Sequence, residues 1–352
     1  MKKILFLFII LMSFNTFASN KSTIVMDTNT GRILYQKNAN EKKLIASTTK
    51  IMTFVVAYEY GRDFLDVLVK SGDEVLKMYG TSIYLSYKEE MLLRDLLYGL
   101  MLRSGNDAAE VIAYFIGGNE EGFVTLMNKK AKTLGMNNTI FKNPHGLDEN
   151  TKNYSTAHDL AILSSYASKI PFYREVTGTK YYKTSTSIKA YSWTNRNKMV
   201  FTYPYYTTGK TGYTPSAGKT FVSTAKKDDL ELTIVTLNEP DIYEVHRMLY
   251  EEYFNKYKRK LIVSKNEFML RYDNLYIKNN LYYPLKENEE ERLEIKLNLN
   301  ENIKGIKGEL IVYLDNKEII KEPVYGRKKE LTHNNENNSF LSKIKHFFDN
   351  LF

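Results

Sequence analysis

The spacing of hydrophobic and polar positions changes several times along the chain, and each change predicts a different element. Two short apolar runs, 24–26 and 33–35, flank turn residues at 29–31, which predicts a β-hairpin. From Ser47 a densely apolar segment continues without Gly or Pro until Gly61, which predicts a buried helix that begins at Ser47. Helical spacing predicts further helices over 92–102, 106–115, 121–134 and 154–166.

The pattern after residue 180 is that of strands. Apolar runs predict strands over 181–191, 199–201, 218–225 and 230–237. An amphipathic helix over 243–257 closes this part of the chain. A sheet flanked by a mostly central helical block makes residues 20–257 an α/β (α+β) domain.

After residue 257 the spacing of apolar residues changes to an alternating one. Leucine and isoleucine at positions 293, 295, 297 and 299 alternate with polar residues, which predicts a half-buried strand. A second strand is predicted over 310–314, before the turn residues Asp315 and Asn316. Residues 258–326 are therefore expected to form a small all-β domain without a catalytic constellation. A spacer, a wall-binding module and an interaction domain all remain open for it.

The first residues have the three-part layout of a secretory signal. Lys2 and Lys3 form a positive head, an unbroken apolar run covers 4–12, and Thr16-Phe17-Ala18 places small residues around a bulky one. The apolar run is too short for a standard transmembrane helix. We therefore expect a signal peptide over 1–18 and an exported protein, with an uncleaved anchor as the alternative.

The last residues predict a membrane-lying helix. A polar, Asn-rich stretch over 327–339 is typical of a flexible linker. Residues 340–352 then place aromatic and aliphatic side chains at helical spacing. As a helix this segment spans roughly 20 Å, too short for a ~30 Å hydrocarbon core. We expect it to hold the protein peripherally at the outer face of the cytoplasmic membrane, in the periplasm.

Composition narrows the classes of function. The chain has 352 residues, 43% of them hydrophobic, which suffices for a sizeable core. The formal charge is +9, but no basic stripe is interleaved with aromatics, so nucleic acid is not expected as a partner. There is no cysteine, which excludes disulfides, thiolate metal sites and thiol nucleophiles.

Three short motifs carry the candidate chemistry: Ser47-Thr48-Thr49-Lys50, Ser104-Gly105-Asn106 and Lys210-Thr211-Gly212. A serine hydroxyl needs an adjacent base, and residues three apart share one face of a helix. A lysine acts as that base only when it is neutral, and a second nearby cation lowers its pKa. Lys210 is the candidate for that cation. In this order the motifs are the signature set of serine enzymes acting on D-alanyl peptides and β-lactams.

The other motif residues have expected roles in the same site. Ser104 is expected to relay a proton to the leaving amine, and Asn106 to hold the substrate amide. On an edge strand, Lys210 and the Thr211 hydroxyl would bind a carboxylate, and Gly212 would let a substrate backbone approach. The backbone N–H groups of Ser47 and Tyr213 are the expected oxyanion donors.

Position, rather than the tetrapeptide itself, selects Ser47. The pattern Ser-x-x-Lys also occurs at Ser216, Ser223 and Ser342. Taken singly, Ser47 is more commonly a helix N-cap, and the other two motifs are a turn and a strand end. Only Ser47 opens a buried helical run upstream of a Ser-x-Asn and a single Lys-Thr-Gly.

The chain resembles the low-molecular-mass penicillin-binding proteins, which are serine-type D-Ala-D-Ala carboxypeptidases of the peptidase S11 family. The resemblance covers nearly the whole chain. Its domains would be a β-lactamase/DD-peptidase-like domain, a small β domain and an amphipathic C-terminal helix. The strings that carry the resemblance lie at 45–53, 102–109, 143–148, 154–157, 210–214 and 217–218.

The resemblance implies roles for individual residues. Ser47 would be the acylated nucleophile, Lys50 its proton acceptor and Ser104 the second active-site serine. Lys210 would bind substrate, and Arg196 matches a position near the terminal carboxylate. The implied substrate is the peptidoglycan stem peptide ending in D-Ala-D-Ala, with β-lactams as acylating inhibitors and no cofactor.

Several alternatives stay open at this point. A D,D-endopeptidase would use the same residues. A β-lactamase often needs a Glu-x-x-Leu-Asn loop, and the similar string at 294–298 lies beyond Lys210 on a predicted strand. A catalytically silent envelope-binding protein is a third possibility. His145 and His158 are expected to be structural, and no metal site is expected.

Overall fold

The computed structural model of the chain describes residues 20–272, 274–303 and 305–326. The expected signal peptide 1–18, linker 327–339 and amphipathic helix 340–352 lie outside the described residues. In the part that is described, no helix combines the length and the apolar character that a membrane crossing requires.

Eleven strands are described up to residue 237. In chain order they are β1 Ser22–Asp27, β2 Ile33–Lys37, β3 Lys43–Leu44, β4 Leu68–Lys70, β5 Glu90–Leu92, β6 Tyr154–Ser155, β7 Tyr181–Ser185, β8 Ala190–Thr194, β9 Tyr206–Thr214, β10 Gly218–Lys227 and β11 Leu230–Leu237.

The α-helices of the same part are α1 Lys50–Gly61, α2 Leu93–Tyr98, α3 Asn106–Gly117, α4 Glu120–Thr133, α5 Ala157–Ala167, α6 Pro171–Gly178, α7 Met199–Thr202 and α8 Ile242–Lys256. Shorter 3₁₀ turns lie at Ala46–Thr49, Arg62–Phe64 and Asp73–Lys77, and a π-helical turn lies at Gly99–Arg103.

An antiparallel five-stranded sheet in the order β2-β1-β11-β10-β9 forms the framework. The hairpin predicted near the start is confirmed as β1 and β2. The Lys-Thr-Gly tripeptide lies on β9, at the edge of the sheet, also as predicted. The edge position leaves one side of β9 without a neighbouring strand of this sheet.

Helices cover both faces of this sheet, which explains why β1 and β11 are buried along their whole length. Ile24 and Met26 of β1 join the large core that α1, α3 and α5 share. Val25 points the other way and packs in a second core with Tyr250 and Phe254 of α8. This alternation is the two-residue period of a strand.

Two strand predictions in this part are wrong. Residues 199–201 form α7 instead of a strand, because the Asn197 side chain accepts a hydrogen bond from the Met199 N–H and starts a helical turn. The single strand predicted over 181–191 is the hairpin of β7 and β8. Its turn is fixed by Thr186, whose hydroxyl oxygen accepts hydrogen bonds from the backbone of Ile188 and Lys189.

The remaining described residues form a smaller, mainly β unit with its own apolar clusters. Its elements are β12 Lys258–Val263, α9 Lys265–Arg271, β13 Leu275–Tyr276, β14 Leu281–Leu285, a 3₁₀ turn Glu290–Arg292, β15 Leu293–Ile303, β16 Ile306–Leu314 and β17 Lys317–Gly326. The alternating segment from Leu293 is confirmed as a strand.

The expectation of an all-β unit needs one correction, which is helix α9. Ser264 caps α9 by accepting a hydrogen bond from the Glu267 N–H, and Phe268 turns its ring into the core of the unit. Ser-x-x-Glu is a helix-start signature that the sequence contained.

Arg32, at the β1–β2 turn, joins the two parts of the chain. Its guanidinium donates to both carboxylate oxygens of Glu289, at 2.7 and 2.8 Å, and to the carbonyl of Pro284. The same group lies 5.2 Å from the ring centres of Tyr257 and Tyr283. A bidentate ion pair between aromatic rings is a specific contact between the sheet and the β unit.

Candidate active site

Ser47 lies in the 3₁₀ turn Ala46–Thr49, three residues before the first residue of α1, and not in the first turn of an α-helix as predicted. The tighter turn is anchored by Thr48, whose hydroxyl donates to the Ile45 carbonyl at 2.6 Å. Residues three apart eclipse one another in a 3₁₀ turn. Lys50 Nζ accordingly donates to Ser47 Oγ at 3.2 Å, so the serine hydroxyl faces the lysine instead of capping the helix.

Lys50 is fully buried and has two further acceptors. Its ammonium donates to Asn106 Oδ1 at 2.7 Å and to the His145 carbonyl at 2.6 Å. Burial lowers the pKa of Lys50 well below its usual range, and the nearby charge of Lys210 lowers it further. A lysine in this setting gives up its proton readily and can act as a base toward Ser47.

Ser104 is held in a strained backbone conformation next to the second lysine. It ends the π-helical turn with φ +62° and ψ +36°, a left-handed conformation that a serine rarely adopts. Its carbonyl accepts a hydrogen bond from the Thr81 hydroxyl, which helps to fix the strained residue. Lys210 Nζ donates to Ser104 Oγ at 3.0 Å, so this contact joins the second motif to the third.

Asn106 is the first residue of α3, and its side chain is buried between two partners. Its amide oxygen accepts from Lys50, while its amide nitrogen donates to the Tyr79 carbonyl at 2.7 Å. These contacts join the second motif to the first. They also fix the segment around Tyr79, which runs beside the motif.

Lys210 projects from the edge strand β9 into the same site and is only 3% exposed. Burial lowers the pKa of Lys210 to about 7, and the charge of Arg196 contributes to the shift. Arg196 itself is exposed, and its backbone N–H donates to the Leu102 carbonyl. A carboxylate bound between these cations would restore the charged form of Lys210, because an opposite charge raises the pKa of a lysine.

Gly212 lies where strand β9 passes against the nucleophile turn. A Cβ atom at this position would be 2.8 Å from the Ser47 backbone nitrogen and 2.5 Å from Thr220 Oγ1. No side chain fits in that space. Tyr213 follows Gly212 on β9, so its backbone lies directly after this point of close approach, while its side chain is exposed.

Replacing Gly212 by alanine is expected to push β9 away from the Ser47 turn. We expect a loss of about 1–3 kcal/mol in the free energy of unfolding, because the site is already filled. We also expect acylation of Ser47 to slow about 10²-fold, since a shift of about 1 Å misaligns reacting groups. Reaction with a fluorescent penicillin and thermal unfolding measure the two effects.

Gly178→Ala is the matched control, because a Cβ atom there would meet nothing closer than 3.8 Å. If Gly212→Ala reacted with penicillin as fast as Gly178→Ala, the close approach of β9 to Ser47 would have no role in the chemistry.

The segment 143–148 supplies contacts that the motifs alone did not indicate. The His145 carbonyl accepts from Lys50, and the Pro144 carbonyl accepts from the Thr53 hydroxyl. A Cβ atom on Gly146 would be 2.0 Å from the Ala46 carbonyl oxygen, so the segment packs directly on the nucleophile turn. In the sequence, 143–148 is one of the strings that carry the family resemblance, but nothing local in it indicates a contact with Lys50.

Glu110, Glu120 and His145 have side-chain atoms within 4.8 Å of one another, a grouping that the sequence did not predict. Their chemistry does not fit a metal site. His145 Nδ1 accepts a hydrogen bond from the Leu147 N–H at 3.0 Å, so the neutral ring carries its proton on Nε2, toward Glu110. A metal ligand needs a free lone pair at that nitrogen.

Comparison with known proteins adds an independent finding. Residues 14–241 match the model of the peptidase S11 family, described as D-alanyl-D-alanine carboxypeptidase. The chain is 36% identical over 255 residues to the D-alanyl-D-alanine carboxypeptidase DacF of Bacillus subtilis, covering 70% of this chain and 65% of the relative. It is 33% identical over 228 residues to DacC of Escherichia coli, covering 62% of this chain and 56% of the relative.

A solved structure extends the likeness beyond the first part of the chain. The D-alanyl-D-alanine carboxypeptidase DacD from Francisella tularensis superposes with a TM-score of 0.70 at 26% identity. The match covers 87% of this chain and 92% of that structure, so it includes the β unit. By contrast, the two sequence matches span less than two thirds of the length of either relative.

Proposed function

Because the chain belongs to the peptidase S11 family of D-alanyl-D-alanine carboxypeptidases, we propose that it is a serine-type D-Ala-D-Ala carboxypeptidase. It removes the terminal D-alanine from peptidoglycan pentapeptides through an acyl-enzyme on Ser47. One observation carries the proposal: Ser47 Oγ lies 3.2 Å from the Nζ of a fully buried lysine. Nucleophile and base within hydrogen-bond reach are the requirement for an activated serine.

In the acylation step, Ser47 Oγ attacks the carbonyl carbon of the penultimate D-alanine. Neutral Lys50 accepts the hydroxyl proton, and the carbonyl oxygen becomes an oxyanion held by the N–H groups of Ser47 and Tyr213. The C–N bond then breaks. The proton passes from Lys50 to the leaving amine through Ser104, which is hydrogen-bonded to Lys210. An ester on Ser47 and free D-alanine result.

Deacylation repeats the same chemistry with water. A water molecule loses a proton to neutral Lys50 as its oxygen attacks the ester carbonyl. When the C–O bond to Ser47 breaks, the proton returns to Ser47 Oγ, and the shortened peptide leaves. A β-lactam acylates Ser47 by the same first step, because its strained amide takes the place of the peptide bond. No cofactor is required by these steps.

The substrate is held by residues on both sides of Ser47. Lys210, the Thr211 hydroxyl and Arg196 bind the terminal carboxylate, and Asn106 binds the amide next to it. Gly212 lets the peptide lie against β9. The charge of Arg196 acts on Lys210, so the potential at this end of the site is positive. A positive potential favours the binding of an anionic group such as a carboxylate.

The domain organisation and location form part of the proposal. Residues 20–257 are the catalytic domain and residues 258–326 are a separate β domain, as the separate apolar clusters of the two parts support. The protein is exported with the help of residues 1–18. Residues 340–352 lie on the membrane surface, joined by the linker 327–339, and keep the enzyme near its substrate.

Three alternatives are less well supported. The string at 294–298 lies on the regular strand β15, in a different sheet from Lys210, which disfavours a β-lactamase that would use it for deacylation. A D,D-endopeptidase differs only in the amine that leaves. A silent envelope-binding protein is disfavoured by the contacts that Ser47, Lys50, Ser104 and Lys210 retain.

The direct test is release of D-alanine by the purified protein from a tripeptide that ends in D-Ala-D-Ala. We expect release from this peptide and none from the matched L-Ala-L-Ala peptide. A cross-linked dimeric peptide tests endopeptidase activity, and multiple-turnover hydrolysis of benzylpenicillin tests β-lactamase activity. No D-alanine and no uptake of labelled penicillin would overturn the proposal.

A further inference from the structure

A buried carboxyl and imidazole lie next to Lys50, outside the residues assigned to catalysis. Glu110 Oε1 lies 3.3 Å from His145 Nε2, and the two residues are only 3% and 7% exposed. The N–H at Nε2 is the nearest donor, but it does not form a hydrogen bond with Oε1, and no other described residue donates to this oxygen. A buried carboxylate oxygen that accepts no hydrogen bond is a costly place for a negative charge.

The pair is connected to Lys50 through the backbone of His145. The His145 ring is held on one side by the Leu147 N–H, which donates to Nδ1, and faces Glu110 on the other. The carbonyl of the same residue accepts from Lys50 Nζ at 2.6 Å. The residue whose ring faces Glu110 is therefore the same residue whose carbonyl accepts from the catalytic lysine.

Helix α3 contacts Lys50 by two routes. Asn106 and Glu110 are four residues apart, so they lie on the same face of α3. Asn106 Oδ1 contacts Lys50 Nζ directly, while Glu110 contacts the ring of His145. Glu110 therefore supports the environment of Lys50 without touching the reacting atoms.

The charges around Glu110 decide its protonation state. Burial, together with the smaller effects of the carboxylates of Glu120 on α4 and Glu74 on the 3₁₀ turn Asp73–Lys77, raises the pKa of Glu110 to about 8. Lys50 on α1 acts in the opposite direction. Burial and the same carboxylates raise the pKa of Tyr114 on α3. Burial lowers the pKa of His145 to about 3, so the His145 ring is neutral.

We propose that Glu110 is a positioning residue: as an uncharged carboxyl group it packs against the His145 ring and keeps the His145 carbonyl in place against Lys50 Nζ. A neutral Glu110 fills the space beside Lys50 and keeps water out without adding a negative charge. An ionised Glu110 would instead strengthen the hold of Lys50 on its proton. The inference rests on the proposed acylation of Ser47 by way of Lys50.

The test compares the pH dependence of penicillin acylation in wild type, Glu110→Gln and Glu110→Ala. In wild type the rate falls at low pH as Lys50 becomes protonated. Glutamine has the shape of a protonated glutamate, so we expect this limb to stay within about 0.2 pH units and the neutral-pH rate within about threefold. Alanine admits water beside Lys50, so we expect the limb about 0.5–1 unit higher and a rate about tenfold lower.

Glu121→Gln, which removes an exposed carboxylate on α4, is the matched control and is expected to leave the profile unchanged. A limb that moves to lower pH in Glu110→Gln would mean that Glu110 is charged in the wild type, which contradicts the proposal. An unchanged limb and rate in Glu110→Ala would contradict the positioning role.

A second readout does not depend on activity. The pKa of Glu110 is about 8 in the folded protein and about 4.3 in the unfolded chain, so wild type loses stability as the pH rises through this window. Glutamine does not titrate, so the unfolding temperature of Glu110→Gln relative to wild type should rise by several degrees from pH 5 to pH 8. If the difference in unfolding temperature between Glu110→Gln and wild type stayed constant from pH 5 to pH 8, the proposal would be contradicted. This comparison does not need Glu110→Ala, so it holds even where that variant does not fold. If wild type fails to react with penicillin, the proposed function fails, and this comparison still tests the proton on Glu110.

Discussion

The Ser47→Ala variant is expected to release D-alanine at least about 10⁴-fold more slowly than wild type, because among the described residues Ser47 supplies the hydroxyl that Lys50 contacts. The fold should be retained. Ser47 is half-buried, and its hydroxyl accepts a hydrogen bond from Lys50, which has two other acceptors. We therefore expect an unfolding temperature within about 2 °C of wild type. A coupled assay for D-alanine and circular dichroism measure the two quantities.

Ser216→Ala is the matched control, because Ser216 begins another Ser-x-x-Lys but is exposed at the β9–β10 turn. This variant should retain full activity. Activity that survived in Ser47→Ala would mean that the enzyme uses another nucleophile, and the assignment of the whole site would have to change.

The Lys50→Met variant is expected to acylate Ser47 at least about 10³-fold more slowly, because methionine fills a similar volume without a basic nitrogen. The pH profile gives the specific signature. Burial and Lys210 lower the pKa of Lys50, and only the neutral amine accepts the Ser47 proton. Wild-type acylation should therefore fall as the pH is lowered through that pKa, whereas the residual rate of Lys50→Met should lack this limb.

Lys219→Met is the control for this experiment, since Lys219 is the exposed lysine of the Ser216 motif and donates to the Pro240 carbonyl. Its acylation rate and pH profile should match those of wild type. If Lys50→Met kept the acid limb of the profile, the titrating group would be a different residue and Lys50 would not be the base.

Local patterns in the sequence predicted the elements whose signals are short-range. The β1–β2 hairpin follows from a turn between two apolar runs, and Lys-Thr-Gly lies on the edge strand β9, the kind of strand predicted for it. Residues 199–201 were assigned to a strand, because a three-residue apolar run has no distinguishable period. The hydrogen bond from the Met199 N–H to Asn197 decided the structure there.

The site was predictable as far as the order of the motifs allowed. The spacing of Ser47 and Lys50 gave their contact, and the structure brings Ser104, Asn106 and Lys210 to the same place. The 3₁₀ turn at Ser47 and the left-handed backbone of Ser104 were not predictable, because packing against the segment 143–148 and the hydrogen bond from Thr81 fix them.

The remaining contacts of Lys50 arise from residues distant in the chain. Its acceptors Asn106 and His145 lie 56 and 95 positions away, and no local period connects them. The Glu110–His145 pair is of the same kind. Glu110 lies one residue beyond the string 102–109, and His145 lies within 143–148, but only the packing of α3 against the segment 143–148 brings the two residues together.

Peptide mapping after reaction with benzylpenicillin tests the central claim most directly. The full-length protein is incubated with the drug and digested, and the adduct is located by mass spectrometry. The account predicts one benzylpenicillin per chain, attached to Ser47 in the wild type and absent from Ser47→Ala. An adduct on another residue, or no adduct on folded wild-type protein, would contradict the assignment of Ser47 as the acylated nucleophile.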